Sequence, residues 1–329
     1  MSLGLASCFA PENHRERPCF LSRWQKRDIQ QMTKETIGFI GLGDMGLCMA
    51  RNLIGAAFDV IGFDLREERL ELLEQAGGRR GLSPAEVGTE AEAVFIMVMT
   101  GQQAEQVLFG QQGLVGSMKQ GSTVLLTATI EPSEAEALGK RVQEAGLQMI
   151  DSPVSGGQNG AEAGTLAMMA AGPRSVWEAN LPRMQAVGGN IFHVGEKVGM
   201  GQTVKASLQA LIGSTFAAIF ESLVLGAKAG IEGKVLYEVF SASGVSSPLF
   251  KNCAKLIMER QFKDTGSQIG TMYKDLGITM NLARQSGVPM FTTAAAQQLF
   301  QAGISSFPEE DNWCVTKVIE QIAGAQVKW

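Results

Sequence analysis

The chain has 329 residues, 45% hydrophobic and 19% charged, which is ordinary for a globular protein of about two domains. Its formal net charge of −5 excludes the basic surface that nucleic-acid-binding domains carry. Five cysteines without a C-x-x-C pair predict free thiols in a reducing compartment, the cytoplasm, and two histidines outside any ligand spacing predict no metal site.

Residues 1–35 differ from the rest because they mix arginine with acidic residues and show little apolar periodicity. A transit peptide would be poor in acidic residues, and a secretory signal would need an apolar segment. Because Met32 stands just before the first predicted strand, we interpret this segment as a disordered leader, from expression or from an over-long gene start. A targeting role is the alternative.

The segment Thr36–Asp64 has the order strand, glycine turn, helix, strand and acidic residue. Gly41, Gly43 and Gly46 fill the G-x-G-x-x-G pattern where the first strand should end. They would allow, in turn, the tight turn, the approach of a pyrophosphate and close packing of the helix. Its phosphates would lie on the N–H groups of the helix N-terminus. We predict a dinucleotide site, with a simple packing turn as the alternative.

The second strand of this unit ends on a carboxylate. Asp64 lies 21 positions after Gly43, where it can accept hydrogen bonds from the ribose hydroxyls of NAD. Its charge would repel a 2′-phosphate, so NAD is favoured over NADP, although Arg66 nearby softens that preference. The cofactor-binding residues predicted on this unit are Gly41, Leu42, Gly43, Asp44, Met45, Gly46 and Asp64.

From residue 60 onward strands and helices alternate, which is the pattern of a doubly wound α/β sheet. The predicted strands cover residues 93–99, 123–128, 148–151, 165–171 and 190–194. The predicted helices cover residues 66–77, 102–108, 132–145 and 174–186. We place a dinucleotide-binding domain at 36–200 and a helical domain for substrate binding and oligomerisation at 201–329.

Residues 204–229 form one long helical pattern rich in alanine, leucine and isoleucine. A membrane span is the rival interpretation, but Lys205, Gln209, Glu221 and Lys228 interrupt the apolar run too often for that. We predict a buried helix of about 40 Å that links two domains, and no membrane association.

Four separated motifs resemble those of the β-hydroxyacid dehydrogenases, a family that includes 3-hydroxyisobutyrate dehydrogenase, tartronate semialdehyde reductase and L-threonate dehydrogenase. They are FIGLGDMGLCMARNL (39–53), DSPVSGGQNGAEAGTL (151–166), GQTVKASLQ (201–209) and YKDLGI (273–278). The resemblance covers the chain from about Thr36 to its end. It implies a Rossmann-type domain followed by an all-α domain, a nicotinamide dinucleotide, and a small hydroxy acid as substrate.

Oxidation of a hydroxy acid requires a hydride acceptor, a group that takes the hydroxyl proton, and an anchor for the carboxylate. Lys205 begins an apolar helix, where burial would lower its pKa and let it exchange protons near neutral pH. The family resemblance assigns the catalytic role to the same position. Gln209 lies on the same helical face and would bind substrate hydroxyls. A lysine that extends to solvent from the helix end is the ordinary alternative.

For the carboxylate anchor, Ser155, Gly156 and Gly157 follow a short strand and would expose backbone N–H groups to an anion. A plain glycine turn is the alternative, and the resemblance favours substrate binding. Lys274 and Asp275 could be a solvated pair on a helix. The resemblance implies instead that Lys274 approaches the nicotinamide and that Asp275 helps to hold the substrate site.

Three more candidates lie at the carboxyl ends of predicted strands, where open α/β sheets bind ligands. Thr129 matches a family threonine that contacts the cofactor. Met99 and Thr100, also assigned to the cofactor, replace the usual Leu-Pro, and Ala128 stands where serine is common. His193 is expected to be a packed strand residue rather than a catalyst.

The sequence therefore predicts an NAD-dependent dehydrogenase of small hydroxy acids. Many family members carry asparagine where this chain has Gln209, and glutamine resembles the subgroup that acts on four-carbon sugar acids such as L-threonate. The alternatives are 3-hydroxyisobutyrate or tartronate semialdehyde chemistry, imine reduction, which Lys205 disfavours, and a non-catalytic dinucleotide-binding protein. The family also implies a homodimer or homotetramer with the helical domains in contact.

Overall fold

The computed structural model describes residues 35–329, so the predicted leader, apart from Glu35, lies outside the described residues. Within them, nine strands form one sheet. The strands are β1 (Thr36–Ile40), β2 (Asp59–Phe63), β3 (Arg79–Arg80), β4 (Ala93–Ile96), β5 (Thr123–Leu126), β6 (Gln148–Asp151), β7 (Val154–Ser155), β8 (Leu166–Ala171) and β9 (Gly188–Gly195).

Helices connect these strands and then make up the remainder of the described chain. Those between strands are α1 (Asp44–Gly55), α2 (Glu67–Gln75), α3 (Pro84–Glu90), α4 (Gly101–Phe109), α5 (Pro132–Glu144), α6 (Gly157–Glu162) and α7 (Arg174–Val187). Those after the sheet are α8 (Met200–Lys228), α9 (Gly233–Ala242), α10 (Pro248–Met258), α11 (Ile269–Ser286), α12 (Phe291–Ser306) and α13 (Val315–Ala323).

The strand order is β3-β2-β1-β4-β5-β6-β8-β7, with β9 paired to β8. The strands from β3 to β6 are parallel, and in β1 Ile37 lies beside Val60 of β2 and Ala93 of β4. β2 and β3 are added on one side of β1, and β5 and β6 are added on the far side of β4. The carboxyl ends of these two strands therefore border the crevice at which open α/β sheets bind ligands.

The far end of the sheet departs from the parallel pattern. β8 runs antiparallel to both β6 and β7, whereas β9 is parallel to β8. Only residues 156–165 separate β7 from β8, which is fewer than the roughly dozen residues that a crossover to a parallel neighbour needs. His193 lies in β9, as expected, with a ring nitrogen 2.8 Å from the Gly172 carbonyl oxygen.

The sheet is covered on both faces, which explains why its strands are continuous apolar runs. Phe39 and Phe95 stack at 5.6 Å between ring centroids in the core under α1 and α7. The neighbouring residues Val94 and Ile96 point into a second core, which also contains Leu126. Each face thus has its own hydrophobic core.

α8 belongs to two packing environments. Its 29 residues span about 44 Å, and at its start a Cβ on Gly201 would overlap the carbonyl oxygen of Met169 in β8. Farther along, Phe216, Phe220 and Leu223 form a third core with residues of α10–α13. Among the described helices α8 alone is long and apolar enough to cross a membrane, yet these side chains make it a core helix. The predicted fold class is confirmed.

Candidate active site

The glycine turn after β1 has the close contacts that its sequence predicts. Gly41 has a φ of 91°, and a Cβ there would overlap the carbonyl oxygen of Met97. A Cβ on Gly46 would overlap the carbonyl oxygen of Gly41, so the helix α1 can approach the strand only at a glycine. Gly43 is the N-cap of α1, and a Cβ added there would meet only Arg66 within 4 Å. The N-terminus of α1 thus fits a pyrophosphate at the crevice.

The remaining predicted residues of this turn differ in what they present. The side chain of Leu42 is fully buried, so only its backbone faces the turn, and its N–H already donates to Asp64 at 2.7 Å. Met45 is half-buried against the core under α1. Asp44 is exposed and pairs with Arg69 at 2.9 Å.

Asp64 stands directly after β2 and both of its oxygens are occupied. Oδ1 accepts from the backbone N–H of Arg66 at 3.0 Å and from its Nε at 3.1 Å, and Oδ2 accepts from Leu42. Burial raises the pKa of Asp64, but the hydrogen bonds from Arg66 and Leu42 outweigh it and leave the pKa below its usual value. Arg66 also lies 3.7 Å from the place a Cβ of Gly43 would take. Carboxylate and guanidinium therefore both border the crevice at the end of β2.

The predicted strand-end residues surround the same crevice. Met99 and Thr100 follow β4 and are exposed, and the Thr100 hydroxyl caps α4 by accepting from Gln103 N at 3.1 Å. Thr129 is half-buried just after β5. Its carbonyl oxygen accepts a 2.6 Å hydrogen bond from Lys274 Nζ, which joins the sheet to α11.

Lys205 lies on the second turn of α8 and is only 7% exposed. Its ammonium forms no hydrogen bond or ion pair with the residues that the structure describes. Burial lowers the pKa of Lys205 and the charge of Lys274 lowers it further, while Asp275 opposes both effects. A lysine in this state can act as a base closer to neutral pH than an exposed one.

A chain of polar contacts runs beside Lys205. Gln209 Nε2 donates to Asp275 Oδ2 at 2.6 Å, and Asp275 Oδ1 lies 2.9 Å from Lys274 Nζ. Because Lys274 also reaches Thr129, these contacts link α8, α11 and the end of β5. Asp275 and Gln209 are buried, so the expected alternative of a solvated Lys274–Asp275 pair does not apply.

The predicted carboxylate anchor forms the turn between β7 and α6. Ser155 ends β7 and is half-buried, while Gly156 and Gly157 are exposed and have φ values of 136° and 62°. Gly156 is the N-cap of α6, so this turn offers backbone N–H groups at a short helix start. The loop before α11 touches it, with the carbonyl oxygen of Gly266 4.0 Å from the Cβ position of Gly157.

Comparisons with known proteins agree with this geometry. Residues 36–195 match the family model described as the NAD binding domain of 6-phosphogluconate dehydrogenase. Residues 199–319 match that described as NAD-binding of NADP-dependent 3-hydroxyisobutyrate dehydrogenase. L-threonate dehydrogenase of Cupriavidus necator is 38% identical over 87% of this chain and 96% of its own.

Two further relatives extend the comparison. The 2-(hydroxymethyl)glutarate dehydrogenase of Eubacterium barkeri is 33% identical over 88% of this chain and 97% of its own. The crystal structure of 3-hydroxyisobutyrate dehydrogenase from Salmonella typhimurium superposes with a TM-score of 0.80 at 30% identity, over 87% of this chain and all of that one. The chain belongs to the β-hydroxyacid dehydrogenase family. It is an enzyme, a hydroxyacid dehydrogenase that binds NAD or NADP.

Two buried polar residues of this β-hydroxyacid dehydrogenase, Asp151 and Gln202, were not predicted as site residues. Asp151, at the end of β6, accepts from the backbone N–H groups of Gly199 and Gln202 at the start of α8. Burial raises the pKa of Asp151 to about 6, although hydrogen bonds from Gln202 and Gly199 lower it. Both residues stand inside family motifs, but a sequence position alone does not show that their side chains meet.

Proposed function

We propose that the protein oxidises a small hydroxy acid with Lys205 as the base that takes the hydroxyl proton. The buried, unpaired ammonium of Lys205 beside the crevice carries this proposal. The neutral amine accepts the proton as the C–O bond becomes a carbonyl, and the carbon-bound hydrogen leaves as hydride. Bound nicotinamide dinucleotide supplies the acceptor for that hydride.

The neighbouring residues take the remaining roles of the site. The Ser155–Gly157 turn binds the substrate carboxylate through backbone N–H groups and the Ser155 hydroxyl. Asp275 accepts the amide N–H of Gln209 and so leaves the Gln209 carbonyl oxygen to accept from a substrate hydroxyl. Lys274, held by Thr129, lies on the nicotinamide side with Met99 and Thr100.

The substrate that we favour is a four-carbon sugar acid such as L-threonate. Gln209 supports it, since a longer amide than asparagine reshapes the polar part of the site. The 38% identity to an enzyme named L-threonate dehydrogenase gives separate support. 3-Hydroxyisobutyrate and tartronate semialdehyde remain the alternatives within the same chemistry.

We favour NAD over NADP as the cofactor. The Asp64 carboxylate stands where the adenosine ribose would lie, and its low pKa keeps it charged at neutral pH. A 2′-phosphate would meet this charge in a half-buried setting. Arg66 opposes that repulsion only in part, because it is already paired with Asp64.

A second copy of this chain is the partner that we propose for the exposed side of α8. Apolar and small residues recur there at alternating steps of four and three, the spacing of a helix-pairing seam. They are Val204, Leu208, Leu211, Thr215, Ala218, Ser222 and Leu225. Leu211 is 66% and Leu225 71% exposed, and this α8 stripe would be covered if two copies packed their helices together.

The remaining proposals concern domains and location. We place the domain boundary near residue 200, between the end of β9 and the start of α8. We infer a cytoplasmic location, which the free and buried thiols of Cys48, Cys253 and Cys314 in the described part support.

The proposal is tested by following NAD and NADP reduction with a panel of three- to five-carbon hydroxy acids, including both threonates, glycerate and 3-hydroxyisobutyrate. We expect the highest kcat/KM with a four-carbon acid and NAD. Lys205→Met should lower kcat by about 10²–10⁴-fold while NAD still binds. Full turnover by Lys205→Met would overturn the assignment of the base. A higher kcat/KM with 3-hydroxyisobutyrate than with either threonate would overturn the sugar-acid assignment.

A further inference from the structure

The N-terminus of α8 is held by a carboxylate from the sheet rather than by its own cap. Its N-cap residue is Gly199, with a φ of 97° and no side chain to accept the free N–H groups of the first turn. Asp151 supplies the acceptor instead, with Oδ2 3.0 Å from Gly199 N and 3.1 Å from Gln202 N. Asp151 is fully buried, and the burial of a carboxylate is unfavourable unless hydrogen bonds such as these compensate for its lost hydration.

Gln202 connects that carboxylate to the cofactor side of the crevice. Its side chain is 1% exposed, and its Nε2 donates to Asp151 Oδ1 at 2.7 Å and to the Ala128 carbonyl oxygen at 2.9 Å. Its Oε1 accepts from Ile130 N at 3.1 Å. The amide thus uses both hydrogens and its oxygen on three fixed partners.

These contacts surround the residues that carry the proposed chemistry. Ala128 and Ile130 flank Thr129, whose carbonyl oxygen holds Lys274. Lys205 lies three residues after Gln202, one helical turn along the same side of α8. The depth and rotation of that turn relative to the Thr129 segment therefore depend on Asp151 and Gln202.

We propose that Asp151 and Gln202 are positioning residues, which hold the Lys205 amine in register with the Thr129 segment on the cofactor side. This inference rests on the proposed role of Lys205. A displacement of about 1 Å in a reacting group can lower the rate about 100-fold, so a rigid link at this point has a direct effect on kcat.

The test exchanges donor and acceptor between the two positions. Gln202→Glu sets two carboxylates against each other. Asp151→Asn sets the N–H groups of two amides against each other, because Ile130 N needs the oxygen of one amide and the helix N-terminus needs the oxygen of the other. In the double variant, the amide introduced at position 151 can donate to the carboxylate introduced at position 202, which can still accept from Ile130 N. The Ala128 carbonyl oxygen loses its donor, so the recovery should be partial. We expect each single variant to lower kcat about 100-fold with KM changed less than threefold, and the double variant to regain at least tenfold.

A second readout does not require turnover. The rate at which an amine-reactive reagent labels Lys205, followed by mass spectrometry, reports the environment of its amine. We expect that rate to change at least threefold in Gln202→Glu and to return toward the wild-type value in the double variant. If the wild type oxidises none of the acids, the proposed function fails. The change in the Lys205 labelling rate between the wild type and the variants still tests the positioning role in that case.

Asn180→Leu is the matched control, because Asn180 is also a 1% exposed amide that uses both its nitrogen and its oxygen, but it lies away from α8. Its partners are Thr123 Oγ1, the Val176 carbonyl oxygen and Arg183. Asn180→Leu should lower the melting temperature and leave kcat unchanged. If Gln202→Glu does not fold, Gln202→Met removes the same bonds without adding charge. Single variants that keep kcat within twofold, or a double variant no better than the worse single one, would overturn the proposal.

Discussion

At the scale of single residues, the charges around Lys205 bear on its proposed role as the base. Its amine is buried beside one cation, Lys274, and one anion, Asp275, and these two are paired with each other at 2.9 Å. Gln209 donates to the other oxygen of Asp275 and so spreads its charge further. Asp275 is thereby less able to stabilise a charged Lys205, which suits a lysine that must lose its proton.

The pH dependence of the reaction follows from this arrangement. In the proposed mechanism only neutral Lys205 can take the proton, so kcat/KM for oxidation should rise with pH and level off above the pKa of Lys205. Since that pKa is lowered from 10.5, the inflection should lie below that value. Asp275 raises the pKa, so Asp275→Asn should move the inflection to lower pH while also weakening the substrate site. A pH profile of kcat/KM measures this, and an inflection that moves to higher pH contradicts it.

The choice between the two dinucleotides is also a property of single residues. Asp64→Asn removes the negative charge but keeps an oxygen for Leu42 N, and it frees Arg66 for a 2′-phosphate. We expect the ratio of kcat/KM for NADP to that for NAD to rise at least about tenfold, or about 1.4 kcal/mol. Adding Arg66→Ala should remove most of this gain. An unchanged ratio in Asp64→Asn would show that this carboxylate does not set the preference.

Single residues were predictable where a short segment carries the signal. Lys205 and Gln209 lie four residues apart, so their shared helix face follows from the sequence. The partners of Lys274 and Asp275 did not follow, because Gln209 and Asp275 are 66 positions apart, and Lys274 and Thr129 are 145 apart. Such contacts arise only when α8, α11 and β5 pack together. For the same reason, the contact between Asp151 and Gln202 could not be predicted from the sequence.

At the scale of elements, strong periodicity predicted well and short elements did not. The strand at 148–151 and the helices around 132–145, 174–186 and 204–229 appear within about four residues of their predicted ends. β3, with two residues, and α3, with seven, are too short to show a period. The antiparallel pairing of β8 with β7 depends on the short connection 156–165, which the alternation of strands and helices does not reveal.

The glycine turn allows a prediction with an internal control. Gly46→Ala places a methyl group against the Gly41 carbonyl oxygen, which should lower the free energy of unfolding by about 1–3 kcal/mol and weaken NAD binding. Gly55→Ala, at the other end of α1, meets nothing within 4 Å and should be neutral or stabilising by up to about 1 kcal/mol. Denaturant unfolding measures the change in stability, and the fluorescence of added NADH measures the change in dinucleotide binding. Equal stability of the two variants would contradict the proposed close approach of α1.

At the scale of the whole molecule, the α8 stripe predicts self-association. A charge at Leu211 or Leu225 would be buried against a second copy, so Leu211→Glu with Leu225→Glu should shift the protein toward the monomer. Leu82→Glu is the control, since Leu82 is 79% exposed and lies between β3 and α3. Light scattering coupled to size exclusion gives the mass of each variant. A wild-type monomer, or a double variant of unchanged mass, would contradict the assignment.

The position of α8 also bears on how the chain loses its structure. Multi-domain proteins often melt in separate steps, because each core can open without the other. Here the first turn of α8 is fixed to β6 through Asp151, while Phe220 and Leu223 on the same helix are fully buried in the helical core. Neither core can unfold without disrupting a part of α8 that is packed in the other core. The sheet and the helical bundle should therefore behave as a single cooperative unit, with one calorimetric transition in which damage to the bundle lowers the stability of the nucleotide crevice.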